Sequence, residues 1–216
     1  MTTRKHTRTI LGALLLILIW GALLAARAFG QQAPPDPLVT AITEAMATEV
    51  AVGPRGAPVA HCRNAGPALD TSDPWARCRR RLRAFAGMFV DVGARHSIDP
   101  WLLAAIARKE SAFSPFARGA SHREGGIMQL HPGNRRNRAV PFLRSEAYAH
   151  SCRDVVGACQ LEVVERAADI LVAARARCRD EREAVNAYNL GARCDRTWRY
   201  AAQVYAIRAR MMGGTP

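Results

Sequence analysis

The sequence predicts a mainly α-helical domain, on three observations. Apolar residues recur at helical spacing through several segments. Two pairs, Asp73-Pro74 and Asp99-Pro100, join an N-capping acid to a proline preset for the first helical turn. Sustained alternation of apolar and polar residues, the mark of a half-buried strand, is confined to short stretches. The 216 residues, 49% of them hydrophobic, suffice for one domain with a sizeable core plus an extra segment, and argue against disorder throughout.

The N-terminus comes first. Arg4, Lys5 and Arg8 precede an uncharged apolar run from Ile10 to Ala26, and Ala26-Arg27-Ala28 offers a cleavage site. Residues 1–30 therefore read as a signal peptide or an N-terminal membrane anchor. The 17-residue run is slightly long for the first and slightly short for the second. Either way, the basic start sends the rest of the chain across the membrane. The expected location is periplasmic or elsewhere in the cell envelope, with inner-membrane anchoring if the segment is uncleaved.

Residues 31–72 read as a linker and a short helical extension. Gln31 to Pro37 is polar and proline-rich. Leu38, Ile42, Met46 and Val50 then follow at steady four-residue spacing, and Gly53 to Asp70 reads as loop. Residues 73–212 form the main domain. The helix opened by Asp73-Pro74 presents Leu82, Phe85, Met88, Phe89 and Val92 on one side, the Arg79–Arg83 charges on the other, and stops at Gly93. The next begins at Asp99-Pro100 and ends at Ser114-Pro115. Residues 114–145 look irregular, a length of loop that is usually functional. Further helices are expected at about 160–178, 181–190 and 197–212.

Six cysteines, Cys62, Cys78, Cys152, Cys159, Cys178 and Cys194, all follow the N-terminal segment. An even number in an oxidising compartment reads as disulfides. Short separations favour Cys62–Cys78, Cys152–Cys159 and Cys178–Cys194, the first tethering the extension to the domain. The formal charge of +13 favours polyanions without choosing among nucleic acid, anionic lipid and wall polymer. Part of it belongs to targeting: beyond residue 30, 27 basic residues face 18 acidic ones, leaving +9. Aromatic residues are only 6% and do not interleave with the basic ones, so nucleic-acid binding is not expected. Arg135, Arg136, Arg138 and Arg144 make a basic loop. No metal or nucleotide motif is present, so neither a metal site nor a cofactor is implied.

One carboxylic acid stands out. Leu103, Ile106, Ala107 and Glu110 fall at i, i+3, i+4 and i+7, which puts Glu110 on the apolar face of its helix. Desolvation there favours the protonated form, and a general acid at neutral pH needs that shift. Sixteen residues later comes Gly126-Ile127-Met128-Gln129-Leu130, and farther on Ala187-Tyr188-Asn189-Leu190-Gly191.

Together with Asp99-Pro100-Trp101-Leu102-Leu103, Glu110-Ser111, Ala117 and Pro132, these segments resemble the soluble-lytic-transglycosylase domain of the lysozyme-like superfamily, over roughly residues 85–210. The resemblance implies a helical lysozyme-like domain that cleaves the β-1,4 bond between N-acetylmuramic acid and N-acetylglucosamine in peptidoglycan glycan strands. It makes Glu110 the catalytic acid and then base, with a 1,6-anhydro product and no cofactor. Ser111 would orient the sugar or the acid, and Gln129 would bond substrate near the acid. Met128 would line the cleft or belong to the core. Tyr188 would bond the carboxylate or the adjacent sugar, and Asn189 would hold the backbone of its segment. Glu124 is a departure. Many transglycosylases have Gly-Ala-x-Gly there, whereas lysozymes of the chicken type have an acid two residues before the glycine. Glu124 is therefore a possible second carboxylate, and a hydrolytic muramidase using Glu110 and Glu124 stands as an alternative. A low-turnover wall-binding protein with this fold is a third.

Overall fold

A computed structural model describes residues 36–51, 74–116, 124–152, 156–191 and 193–214. The N-terminal run, the Gly53–Asp70 loop, Cys62, Ala117 and residues 121–123 lie outside them. By its contacts the chain divides into Met1–Asp36 and Pro37–Pro216.

The second unit is a helical assembly. Its long elements are α1 (Pro37–Ala51), α2 (Pro74–His96) and α3 (Pro100–Ser111). A 3-10 turn (Asn137–Ala139) and the short α4 (Pro141–Arg144) and α5 (Glu146–Ser151) follow. Then come α6 (Val156–Arg175), α7 (Glu181–Asn189) and α8 (Tyr200–Met211). The fold is thus mainly α, as predicted. No described helix is long and apolar enough to cross a membrane.

Helix α3 is the hub. Leu102 to Ala107 are all buried, because α1, α2 and α8 each pack against it. A helix covered on all sides needs no polar stripe, and Leu-Leu-Ala-Ala-Ile-Ala has none. Its start follows the expected rule: Asp99 accepts the backbone N–H of Trp101 at 3.1 Å, and Pro100 fills the first turn. Helix α1 buries Ile42, Met46 and Val50 against the same core. Helix α6 packs on α2 and α7, and α7 on α8.

Several boundaries differ from the expected ones. Helix α2 passes through Gly93 to His96 and ends in a left-handed turn at Ser97, closed by Ile98 N donating to Gly93 O. Gly93 is needed for close approach: a Cβ there would lie 2.6 Å from the Ile98 carbonyl oxygen. Helix α3 ends at Ser111, before Ser114-Pro115, because Ala112 turns left-handed at φ 51. The 114–145 stretch contains the 3-10 turn and α4, and α5 follows it unanticipated.

Two expected disulfides are present, Cys152–Cys159 and Cys178–Cys194. The second joins the segments on either side of α7. Cys78 is also disulfide-bonded, while its expected partner Cys62 lies outside the described residues.

Candidate active site

The site forms where the C-terminal end of α3 meets the turn 125–130, the end of α7 and the start of α8. The turn is short and tightly held. Gly125 and Leu130 exchange backbone hydrogen bonds at 3.2 and 3.0 Å, and Gln129 N donates to Gly126 O at 3.1 Å. Ile127 and Met128 point into the core and are fully buried, which anchors the loop as a plug. Gly126 has φ +73, and a Cβ there would sit 2.7 Å from Val163 Cγ1. A Gly126→Ala chain is therefore expected to lose about 2 kcal/mol of stability, from strain and overpacking against α6, measurable as a lower urea midpoint.

Glu110 occupies the last turn of α3, one turn beyond the buried Ile106. Tyr200, the first residue of α8, donates its phenol to Glu110 Oε1. Burial pushes the Glu110 carboxyl above its ordinary value. The Tyr200 hydrogen bond and the Lys109 charge oppose that rise, and the Glu124 charge adds to it. Burial and the nearby Glu110 charge also raise the Tyr200 phenol well above its ordinary range, so it stays a donor. Glu110 and Glu124 line one cavity of about 620 Å³ together with Gln129, His131, Asn134, Asn137, Tyr188 and Asn189. A second cavity of about 530 Å³ also opens on Glu110 and is lined by Lys109, Asn189, Trp198, Arg199 and Tyr200. Glu110 and Asn189 thus line both cavities.

The remaining side chains take places partly different from those expected. Ser111 is buried, and its hydroxyl lies 2.8 Å from Ile127 O and 3.1 Å from Ala107 O. One proton serves both carbonyls, so Ser111 ties α3 to the turn. Met128 belongs to the core; only its carbonyl serves the site, accepting the Tyr188 phenol at 2.7 Å. Tyr188 is therefore not the phenol on the carboxylate, but stacks beside Tyr200 with ring centroids 6.5 Å apart. Gln129 reaches the first cavity at φ 47, with its amide donating to Gly126 O at 2.9 Å. Asn189 is exposed, and its Oδ1 accepts the Trp198 indole N–H at 3.0 Å. The backbone-holding amide is instead Asn186, fully buried one turn earlier. Its Nδ2 donates to Asp195 O at 2.6 Å and its Oδ1 accepts Ala201 N at 2.7 Å.

Sequence reasoning missed Tyr200 and Asn186. Asn186 carried a usable signal: an amide flanked by Val185 and Ala187 on a helix with a strong apolar face must find partners when buried. Tyr200 carried none, since its partner lies on another helix 90 residues away. Three non-glycine residues around the acid, Ala112, Phe113 and Gln129, have positive φ. Backbone strain of this kind concentrates at functional sites.

Among protein families, the transglycosylase SLT domain matches residues 88–210. Neither the curated proteins nor the solved structures give a match. The family match covers more than half of the chain and takes in Glu110, the 125–130 turn, Tyr188 and Tyr200. The chain belongs to the transglycosylase SLT domain family, and with it to the peptidoglycan-acting enzymes of lysozyme-like fold.

Proposed function

We propose that this chain is an exported peptidoglycan lytic transglycosylase with Glu110 as its single general acid and base. The observation that carries the reading is the half-buried Glu110 carboxyl, bonded by the Tyr200 phenol and lining two cavities. Its raised pKa favours the neutral acid, which donates a proton to the bridging oxygen as the muramyl C1–O bond breaks. The carboxylate left behind takes the proton of the muramyl 6-hydroxyl, whose oxygen closes on C1. Atoms balance without water, and one carboxyl serves both steps. The disulfides and the wall polymer as substrate class support an envelope location.

One observation favours hydrolysis as a second reading: Glu124 shares the first cavity with Glu110. There Glu124 would direct water onto C1 or stabilise its positive charge. Counting reducing ends separates the two. Transglycosylation releases soluble fragments with no new reducing ends, whereas hydrolysis produces one for every cut.

Tyr200→Phe tests the acid's environment. The phenol bond lowers the Glu110 pKa, so its removal raises that pKa further. The active form is the protonated one, so the alkaline limb of the kcat/KM profile is expected to move to higher pH. Turnover at the optimum should fall about tenfold, as a positioning contact is lost. A limb that stays in place would show that Glu110 does not set it.

A further inference from the structure

The two cavities flanking Glu110 differ in charge. Among the described residues the first is lined by Glu110, Glu124, His131 and neutral groups. Arg135, Arg136 and Arg138 stand on the neighbouring exposed loop and are not part of its lining. The second is lined by Lys109 and Arg199, and its only carboxylate is Glu110 itself. Both cations are exposed, and neither enters a salt bridge among the described residues. Seven other arginines, Arg95, Arg108, Arg166, Arg175, Arg196, Arg208 and Arg210, each bond a carboxylate. Trp198 lines the same cavity, 45% exposed, with its indole N–H fixed by Asn189. A fixed, exposed aromatic face suits the apolar face of a pyranose. Two unpaired cations beside it suit a carboxylate on that sugar's substituent.

We infer that the Lys109–Trp198–Arg199 cavity binds a muramyl residue through a carboxylate on its 3-O-lactyl arm, making the chain selective for anionic over neutral glycan. This rests on the transglycosylase reading and adds a charge-reading subsite to it. Two sources supply the carboxylate: the lactyl group of a glycan stripped of peptide, or the attached peptide itself. Trp198 sets the sugar plane, and Arg199 with Lys109 supplies the counter-charge. Because both cations are exposed, the preference is screened by salt.

The test is binding by full-chain Glu110→Gln to three probes: a neutral chitooligosaccharide, peptide-free peptidoglycan glycan and peptide-bearing glycan. At low salt at least one anionic probe is expected to bind about fivefold more tightly than the neutral one. Adding Arg199→Gln removes that advantage, Arg199→Lys restores much of it, and thermal melting shows that each variant is folded. Preference for the peptide-free glycan alone identifies the lactyl carboxylate, preference for the peptide-bearing one alone identifies the peptide, and preference for both identifies a site that takes either. Equal binding of all three probes, or an advantage that survives both Arg199→Gln and Lys109→Gln, overturns the inference. Cleavage of peptidoglycan by the wild-type chain is scored separately. Cleavage without charge preference removes only the subsite, whereas no cleavage removes the transglycosylase reading and the subsite with it.

Discussion

Glu110→Gln is expected to lower turnover of peptidoglycan about a thousandfold while the protein still binds glycan. The amide keeps the size of the acid and can still meet the Tyr200 phenol, but it has no proton to give at neutral pH and no basicity to take one back. In the proposed reading binding is spread over both cavities and the exposed Trp198, so the loss should fall on kcat rather than KM. The same substitution should change stability with the opposite sign. A carboxyl whose folded pKa is raised contributes stability that is fully present below its unfolded pKa and is lost as pH rises through the folded one. Glutamine does not titrate. Above the raised pKa the variant should therefore melt at a higher temperature than the wild type, a gain that vanishes in acid. A variant that is both inactive and less stable in alkali would mean that Glu110 is structural.

Asn186→Ala is expected to cost about 3 kcal/mol, read as a fall in urea midpoint at unchanged slope. The substitution deletes two hydrogen bonds and leaves a buried Ala201 N–H and the Asp195 carbonyl without partners. It also frees the start of α8, where Tyr200 stands. Activity should drop even at temperatures where the variant remains folded, and the alkaline limb of its profile should move upward, as in Tyr200→Phe. A stability loss with an unmoved profile would show that Asn186 does not position the phenol.

What the sequence made legible follows the range of the forces involved. The starts of α2 and α3 are local: each opens at the expected proline, and Asp99 caps the second. The burial of Glu110 is local too, because helical spacing alone places it on the face that carries Ile106. The tight turn needs Gly126, whose φ of +73 and closeness to Val163 leave no easy place for a Cβ. The role of each tyrosine was not legible. Tyr188 and Tyr200 are close neighbours in space, and which one reaches Glu110 depends on how α8 crosses α3, a result of packing. Ser111 and Met128 carry the right motif but face inward, since the turn's position against α6 directs them. The ends of α2 and α3 were misplaced because Ser97 and Ala112 adopt left-handed conformations that their types do not advertise.

The central claim is a single protonated carboxyl that cuts glycan without water. Mass spectrometry of the fragments released from purified peptidoglycan tests it most directly. The account predicts soluble muropeptides ending in 1,6-anhydromuramyl residues, each one water lighter than a hydrolysis product, and their loss in Glu110→Gln. Fragments with ordinary reducing ends, or anhydro fragments that persist in Glu110→Gln, would contradict it.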